Sequence, residues 1–202
     1  MRAGFFIIIF AKRAWQAVAA ICLIICQGGP IETMIRKAQH TDIPALDSLV
    51  NSAYRGNSSR QGWTTEADLL DGIRTDQQAL EQMLLEPGAT LLVHIAETGR
   101  LTGCVYLKNK GNSLYLGMLT VSPAEQNQGL GKRLLAAAEQ HARSEGCTSI
   151  RMTVISVREA LIAWYERHGY RTTGETEPFP DDPRFGIPKQ TLQFIVLEKN
   201  LA

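Results

Sequence analysis

The stretch that most limits what this chain can become is Ser113–Arg133, SLYLGMLTVSPAEQNQGLGKR. Leu114 to Val121 is apolar, aromatic and β-branched, with a Thr and one Gly, which suits a buried strand. Pro123 stops it, because proline has no N–H to give a sheet ladder. After Gln126-Asn127-Gln128-Gly129-Leu130-Gly131-Lys132, the residues Leu130, Leu134, Leu135, Ala138, His141 and Ala142 recur at helical spacing. A buried strand therefore runs through a glycine turn into the start of an amphipathic helix. The first N–H groups of a helix lack intrahelical acceptors, and the helix dipole adds partial positive charge there. Glycines at 129 and 131 let a ligand approach the backbone without meeting a Cβ. Such a turn suits a phosphate or pyrophosphate, with Lys132 adding a charge. Taken alone, the stretch also fits a plain helix start after a flexible turn.

Two other phosphate loops are excluded. The nucleotide P-loop spacing Gly-x-x-x-x-Gly-Lys-Ser/Thr does not occur. The dinucleotide fingerprint fails because Leu134 stands where its third glycine belongs.

The bulk properties are those of a globular domain. The chain has 202 residues and a net charge of +1, with 21 basic against 20 acidic side chains. No basic field or acidic tail points to nucleic acid. Cys22, Cys26, Cys104 and Cys147 contain no Cys-x-x-Cys pair. They suggest neither a metal site nor a disulfide framework, and a reducing, cytoplasmic setting fits.

Residues 1–33 differ in character from the rest of the chain. They are basic and apolar, with no acidic residue before Glu32, and Lys12-Arg13 interrupts two apolar runs too short to span a bilayer. We read 1–33 as an N-terminal extension, either targeting or a mispredicted start, and 34–202 as the domain. Stable membrane insertion of that domain is not expected. If 1–33 is native, an organellar or membrane-associated location is the alternative.

From Met34 the pattern predicts a short strand (34–38), a helix begun by Thr41, a polar loop over Tyr54–Trp63, and helical stretches at Glu66–Gly72 and Asp76–Leu85. Strands come next at 90–97, 100–108 and 114–121. A helix ends at Gly146, and further elements are a strand at 149–155, a helix at 157–168 and a short strand at 170–174. A proline-rich loop at Glu175–Pro188 precedes a final strand at 190–198. The order is β-α-α-α-β-β-β-α-β-α-β-β.

Val121-Ser122-Pro123, the Gln126-x-x-Gly129-x-Gly131 turn, this element order and Trp164-Tyr165-Glu166-Arg167-His168-Gly169-Tyr170 together resemble the GNAT superfamily of acetyl-CoA-dependent N-acyltransferases. The resemblance implies an α/β (α+β) fold. Its central sheet would be mixed and mostly antiparallel, with splayed parallel strands 114–121 and 149–155 and helices on both faces. It implies acetyl-CoA as co-substrate and no metal. The cofactor would lie along Leu119, Thr120 and Val121 and the turn Gln126, Asn127, Gln128, Gly129, Leu130, Gly131 and Lys132. The Leu119 N–H would polarise the acetyl carbonyl, and Tyr165 would protonate the departing thiolate. Tyr165 also reads as a packing tyrosine beside Trp164.

The base is open among Glu66, Asp68, His94 and a water chain, with Glu66 our candidate. It also reads as a surface helix cap, and His94 as a core histidine. Arg158 stands where the family commonly has asparagine, either paired with a cofactor or substrate anion or solvated at a helix start. For the acceptor we select Tyr54, Arg55, Trp63, Arg184 and Phe185. Arg55, Arg60 and Arg184 hint at an anionic group on it.

The implied function is acetyl transfer to a primary amine of a small molecule. The alternatives are a non-catalytic acyl-CoA-binding module or a protein N-acetyltransferase, which needs an open peptide groove that 175–188 would block. A homodimer is an open option.

Overall fold

A computed structural model describes residues 34–201. The expected extension 1–33, with Cys22 and Cys26, lies outside the described residues.

Nine strands are present among the described residues: β1 (Met34–Lys37), β2 (Leu70–Asp71), β3 (Ala89–Ile95), β4 (Leu101–Asn109), β5 (Ser113–Val121), β6 (Ser149–Ile155), β7 (Arg171–Pro178), β8 (Ile187–Pro188) and β9 (Gln193–Asn200). The helices are α1 (Ile43–Tyr54), the single turn α2 (Gly56–Ser59), α3 (Gln77–Leu85), α4 (Leu130–Ser144) and α5 (Glu159–Arg167). Seven strands form one sheet in the order β1-β3-β4-β5-β6-β9-β7. Its ladders are antiparallel except β5–β6, which is parallel.

The alternation of apolar residues along the strands builds a core on each face. On one face Val105 and Leu107 of β4 meet Leu134, Leu135 and Ala138 of α4, with Ile150 of β6. On the other, Cys104 and Tyr106 meet Leu46 and Val50 of α1 and Leu80 of α3. The expected mixed sheet with helices on both faces is observed.

The parallel ladder is short. Ser113–Tyr115 pair with Ser149–Arg151, and no rung is formed beyond that point. The last six residues of β5 thus run beside β6 without a ladder, which is the expected splay. A bulge in β5 shapes its free part. Cys104 pairs with Thr120 but Tyr106 with Gly117, so Met118 and Leu119 together face one residue of β4. Met118 takes φ 49°, the left-handed conformation that supplies the extra residue.

Three local expectations are corrected. The Glu66–Gly72 stretch is not a helix. It makes one turn, with the Leu69 and Leu70 amides donating to the Glu66 carbonyl at 2.9 and 3.0 Å, and then enters β2. Burial of Leu70 against Ile155 and Leu192 prevails over helical spacing in so short a segment.

The strand expected to end at Gly174 continues to Pro178. Gly174 (φ 88°) lies in a bulge between Thr172 and Thr176 and does not stop the strand. The 175–188 segment is therefore not a free loop. Its end, β8, pairs with β2 as a strap.

Candidate active site

The glycine turn has the geometry of an anion cradle. After β5 comes a 3-10 turn (Pro123–Glu125), then Asn127 at φ 64° and Gly129 at φ 79° as the N-cap of α4. Alternating left-handed residues turn successive N–H groups toward one point. The first turn of α4 carries no acidic residue to compete with an anion. A Cβ on Gly131 would sit 3.4 Å from the Trp164 ring, so glycine there keeps the space between α4 and α5 open.

This turn is one wall of a cleft of about 500 Å³. The free part of β5 and α5 form the others. Of the turn and strand residues selected from the sequence, Leu119, Val121, Gln126, Asn127, Gly129, Gly131 and Lys132 line it. Thr120 and Leu130 are buried instead, the Thr120 hydroxyl donating to the Met118 carbonyl at 3.1 Å. The side chain of Gln128 turns back toward the Ala124 carbonyl.

Tyr165 also lines the cleft and is 5% exposed. Burial, then the neighbouring Tyr54, pushes its pKa up, so the phenol keeps its proton at neutral pH. Trp164 stacks on His168 at 4.2 Å and meets the Tyr165 ring edge-on at 5.0 Å, which fixes the ring's position.

Trp63, selected for the acceptor, lines this same cleft. Gln126 holds it there. The Gln126 side-chain oxygen accepts from the Trp63 amide at 2.9 Å, and its nitrogen donates to the Thr64 hydroxyl at 2.9 Å.

Glu66 is 6% exposed, contrary to a surface cap. One carboxylate oxygen accepts from Arg55, and the other from Arg158 at 2.7 Å. Arg158 also donates to the Thr64 carbonyl at 2.6 Å and lies over the Tyr54 ring. It is thus committed within the protein, not to a ligand or solvent. Tyr54 in turn donates to the Leu119 carbonyl at 2.7 Å.

The structure does not gather the other acceptor candidates. Arg55 is buried, with one guanidinium nitrogen 3.4 Å from the Phe185 carbonyl. Arg60 pairs with Asp68 at 2.7 Å, and Arg184 pairs with Asp182 on the surface. The Phe185 ring is 43% exposed. All three arginines that hinted at an anionic acceptor already have acidic partners.

His94 is a buried core residue whose Nδ1 shares a hydrogen bond with the Thr102 hydroxyl at 2.7 Å, and burial lowers its pKa. Burial pushes the Cys104 thiol up to about 12, so it is not a nucleophile at neutral pH. The β5 bulge and the Glu66 ion-pair cluster were missed from sequence. A non-glycine left-handed residue leaves no composition signal, and Arg158 lies 92 positions from Glu66.

Comparison with known proteins agrees with this geometry. Residues 44–170 match the acetyltransferase (GNAT) family model. The chain is 27% identical over 123 residues to the mycothiol acetyltransferase of Mycobacteroides abscessus, covering 59% of this chain but only 39% of that protein. Among solved structures it resembles the ribosomal-protein-S18-alanine N-acetyltransferase of Escherichia coli, with TM-score 0.63, 16% identity and coverage of 84% and 94% of the two chains. It also resembles YncA of Salmonella typhimurium, solved with its cofactor acetyl-CoA, with TM-score 0.60, 21% identity and coverage of 85% and 95%. At these identities the structural likeness speaks for the fold, and the family match covers more than half of the chain. The glycine turn, the split sheet and the buried tyrosine therefore sit in a chain that belongs to the GNAT acetyltransferase family.

Proposed function

We propose that residues 34–202 transfer the acetyl group of acetyl-CoA directly to a primary amine of a small molecule. The observation that carries this reading is the single cleft shared by the glycine turn, the unpaired part of β5 and the protonated Tyr165. The residues fit acetyl-CoA: a first helical turn without acids, and a Gly131 position where a Cβ would narrow the groove. When bound, acetyl-CoA supplies an activated thioester.

The chain's own residues do the rest. Main-chain N–H groups at Gly129–Lys132 would hold the pyrophosphate, with Lys132 beside them. The Leu119 N–H, set by the bulge and by the hydrogen bond of Tyr54 to the Leu119 carbonyl, would polarise the acetyl carbonyl and stabilise charge developing there. The Tyr165 hydroxyl would give its proton to the departing thiolate, and the proton shed by the acceptor amine would leave along a water chain to bulk, from which Tyr165 is reprotonated. Glu66, with a guanidinium on each oxygen, positions the 54–66 loop and is not free to take the amine's proton.

A small acceptor is favoured over a polypeptide because the β2–β8 strap and the cluster of Leu70, Ile155 and Leu192 cover the far end of the split. The free thiols of Cys104 and Cys147 fit a reducing, cytoplasmic setting.

Calorimetric titration of acetyl-CoA tests the reading. Wild type should bind in the micromolar range, and Gly131→Glu should abolish binding while keeping its circular dichroism spectrum. A folded wild type with no affinity for acetyl-CoA would remove the reading.

A further inference from the structure

A second cleft, of about 730 Å³, lies on the opposite face of the sheet. Its lining includes Tyr106 and Tyr115, which belong to the core under α1 and α3. On this face the C-terminal half of the β5–β6 split is already covered. Tyr54 reaches across to the Leu119 carbonyl, the Arg55–Glu66–Arg158 cluster stands behind it, and Leu70, Ile155 and Leu192 pack beyond. The second cleft lies at the other end, where the ladder stops.

Its inner end is a pair of hydroxyls. Tyr115 and Thr153 are 3.3 Å apart and bridge β5 and β6 just past the last rung, Tyr115–Arg151. The Tyr115 ring lies along its own strand over Gly117, where a Cβ would come within 3.0 Å of it. Tyr115 lines the second cleft while Leu119 and Val121 of the same strand line the first, so both clefts open onto β5 along the β5–β6 split.

The charges of the cleft are sorted by end. On the β4 side Lys108 pairs with Glu86 at 2.7 Å, and Lys110 has no ion-pair partner among the described residues. On the β7 side Arg151 pairs with Glu175 at 2.6 Å, and Glu177 has none among the described residues. One end carries a surplus positive charge and the other a surplus negative one. In the sheet order, β4 and β7 are four strand spacings apart, about 19 Å. The long side chains of Lys110 and Glu177 shorten the span that a ligand must bridge.

We propose that the acceptor reaches the reaction centre through this second cleft and that the Tyr115–Thr153 pair receives its amine. The dipolar lining then selects a zwitterionic diamine of the basic amino-acid type. Its carboxylate faces Lys110, its second ammonium faces Glu177, and the remaining amine reacts. This rests on the acetyltransferase reading above and names the acceptor class for it.

The test uses the full chain, with acetyl-CoA affinity measured calorimetrically and acceptor use measured by release of the CoA thiol. L-lysine, spermidine and phenethylamine represent a zwitterionic diamine, a purely cationic amine and an apolar amine. L-lysine should give kcat/KM about tenfold or more above the other two. Lys110→Glu and Glu177→Lys should each raise its KM about tenfold or more and leave acetyl-CoA affinity within about twofold. Equal or better use of spermidine or phenethylamine, an unchanged KM in both variants, or no use of L-lysine by protein that binds acetyl-CoA would each overturn the proposal. A wild-type chain that binds no acetyl-CoA would overturn the transferase reading, and this proposal with it.

Discussion

Tyr165 combines two properties that a proton donor to a thiolate needs. It is buried enough to keep its proton, and it lines the cleft in which the sulfur would stand. Replacing it with Phe keeps the ring packing against Trp164 and Tyr170 and removes only the hydroxyl. We expect Tyr165→Phe to lower kcat about 10²-fold while leaving the acetyl-CoA dissociation constant unchanged. Burial favours the neutral phenol, so ionisation lies above its ordinary value near 10, and kcat should show no alkaline limb from Tyr165 below about pH 10. Rapid-quench kinetics across pH 6–10 checks both statements.

Tyr165 was singled out from the sequence through the family resemblance of the Trp164–Tyr170 stretch, and the structure places it on the cleft. The parts played by Arg158 and Met118 were not legible there. The role of Arg158 depends on a carboxylate remote in sequence, and Met118 adopts its left-handed conformation because the sheet requires an extra residue there.

At the level of elements, the site is held by ties between segments that share no secondary structure. Glu66 links the start of α5, through Arg158, to the end of α1, through Arg55. Gln126 links the glycine turn to Trp63 and Thr64. The chain from 54 to 66 has little regular structure of its own, so these polar contacts set its course. Both oxygens of Glu66 are buried against cations, and removing the charge strands two guanidiniums. Glu66→Gln should therefore destabilise the domain by about 3–5 kcal/mol in urea unfolding. A loss under about 1 kcal/mol would mean that the cluster is solvated.

The sequence predicted the elements on either side of this region because their periodicity is strong. It missed the strap, since two-residue strands such as β2 and β8 carry no period to read.

At the scale of the molecule, the sheet is two half-sheets joined edge to edge. One is β1-β3-β4-β5 and the other β6-β9-β7, and three rungs connect them. Seven strands were readable from the element order, and their parallel central contact was expected through the family resemblance. The shortness of that contact was expected only through the family resemblance, because nothing in the composition of 114–121 or 149–155 marks where a ladder stops.

The join is a mechanical seam. A ligand lying in the opening would supply, from outside the chain, rungs that the chain omits, so acetyl-CoA would act as a staple as well as a reactant. At a concentration one hundred times its dissociation constant it should stabilise the fold by about 2.7 kcal/mol. Amide exchange should slow most along 116–121 and 152–155, on both lips of the seam, and little at β1 or β7. One core already joins the two half-sheets under the seam, so loading should stiffen its open lips and leave the rest of the fold unchanged.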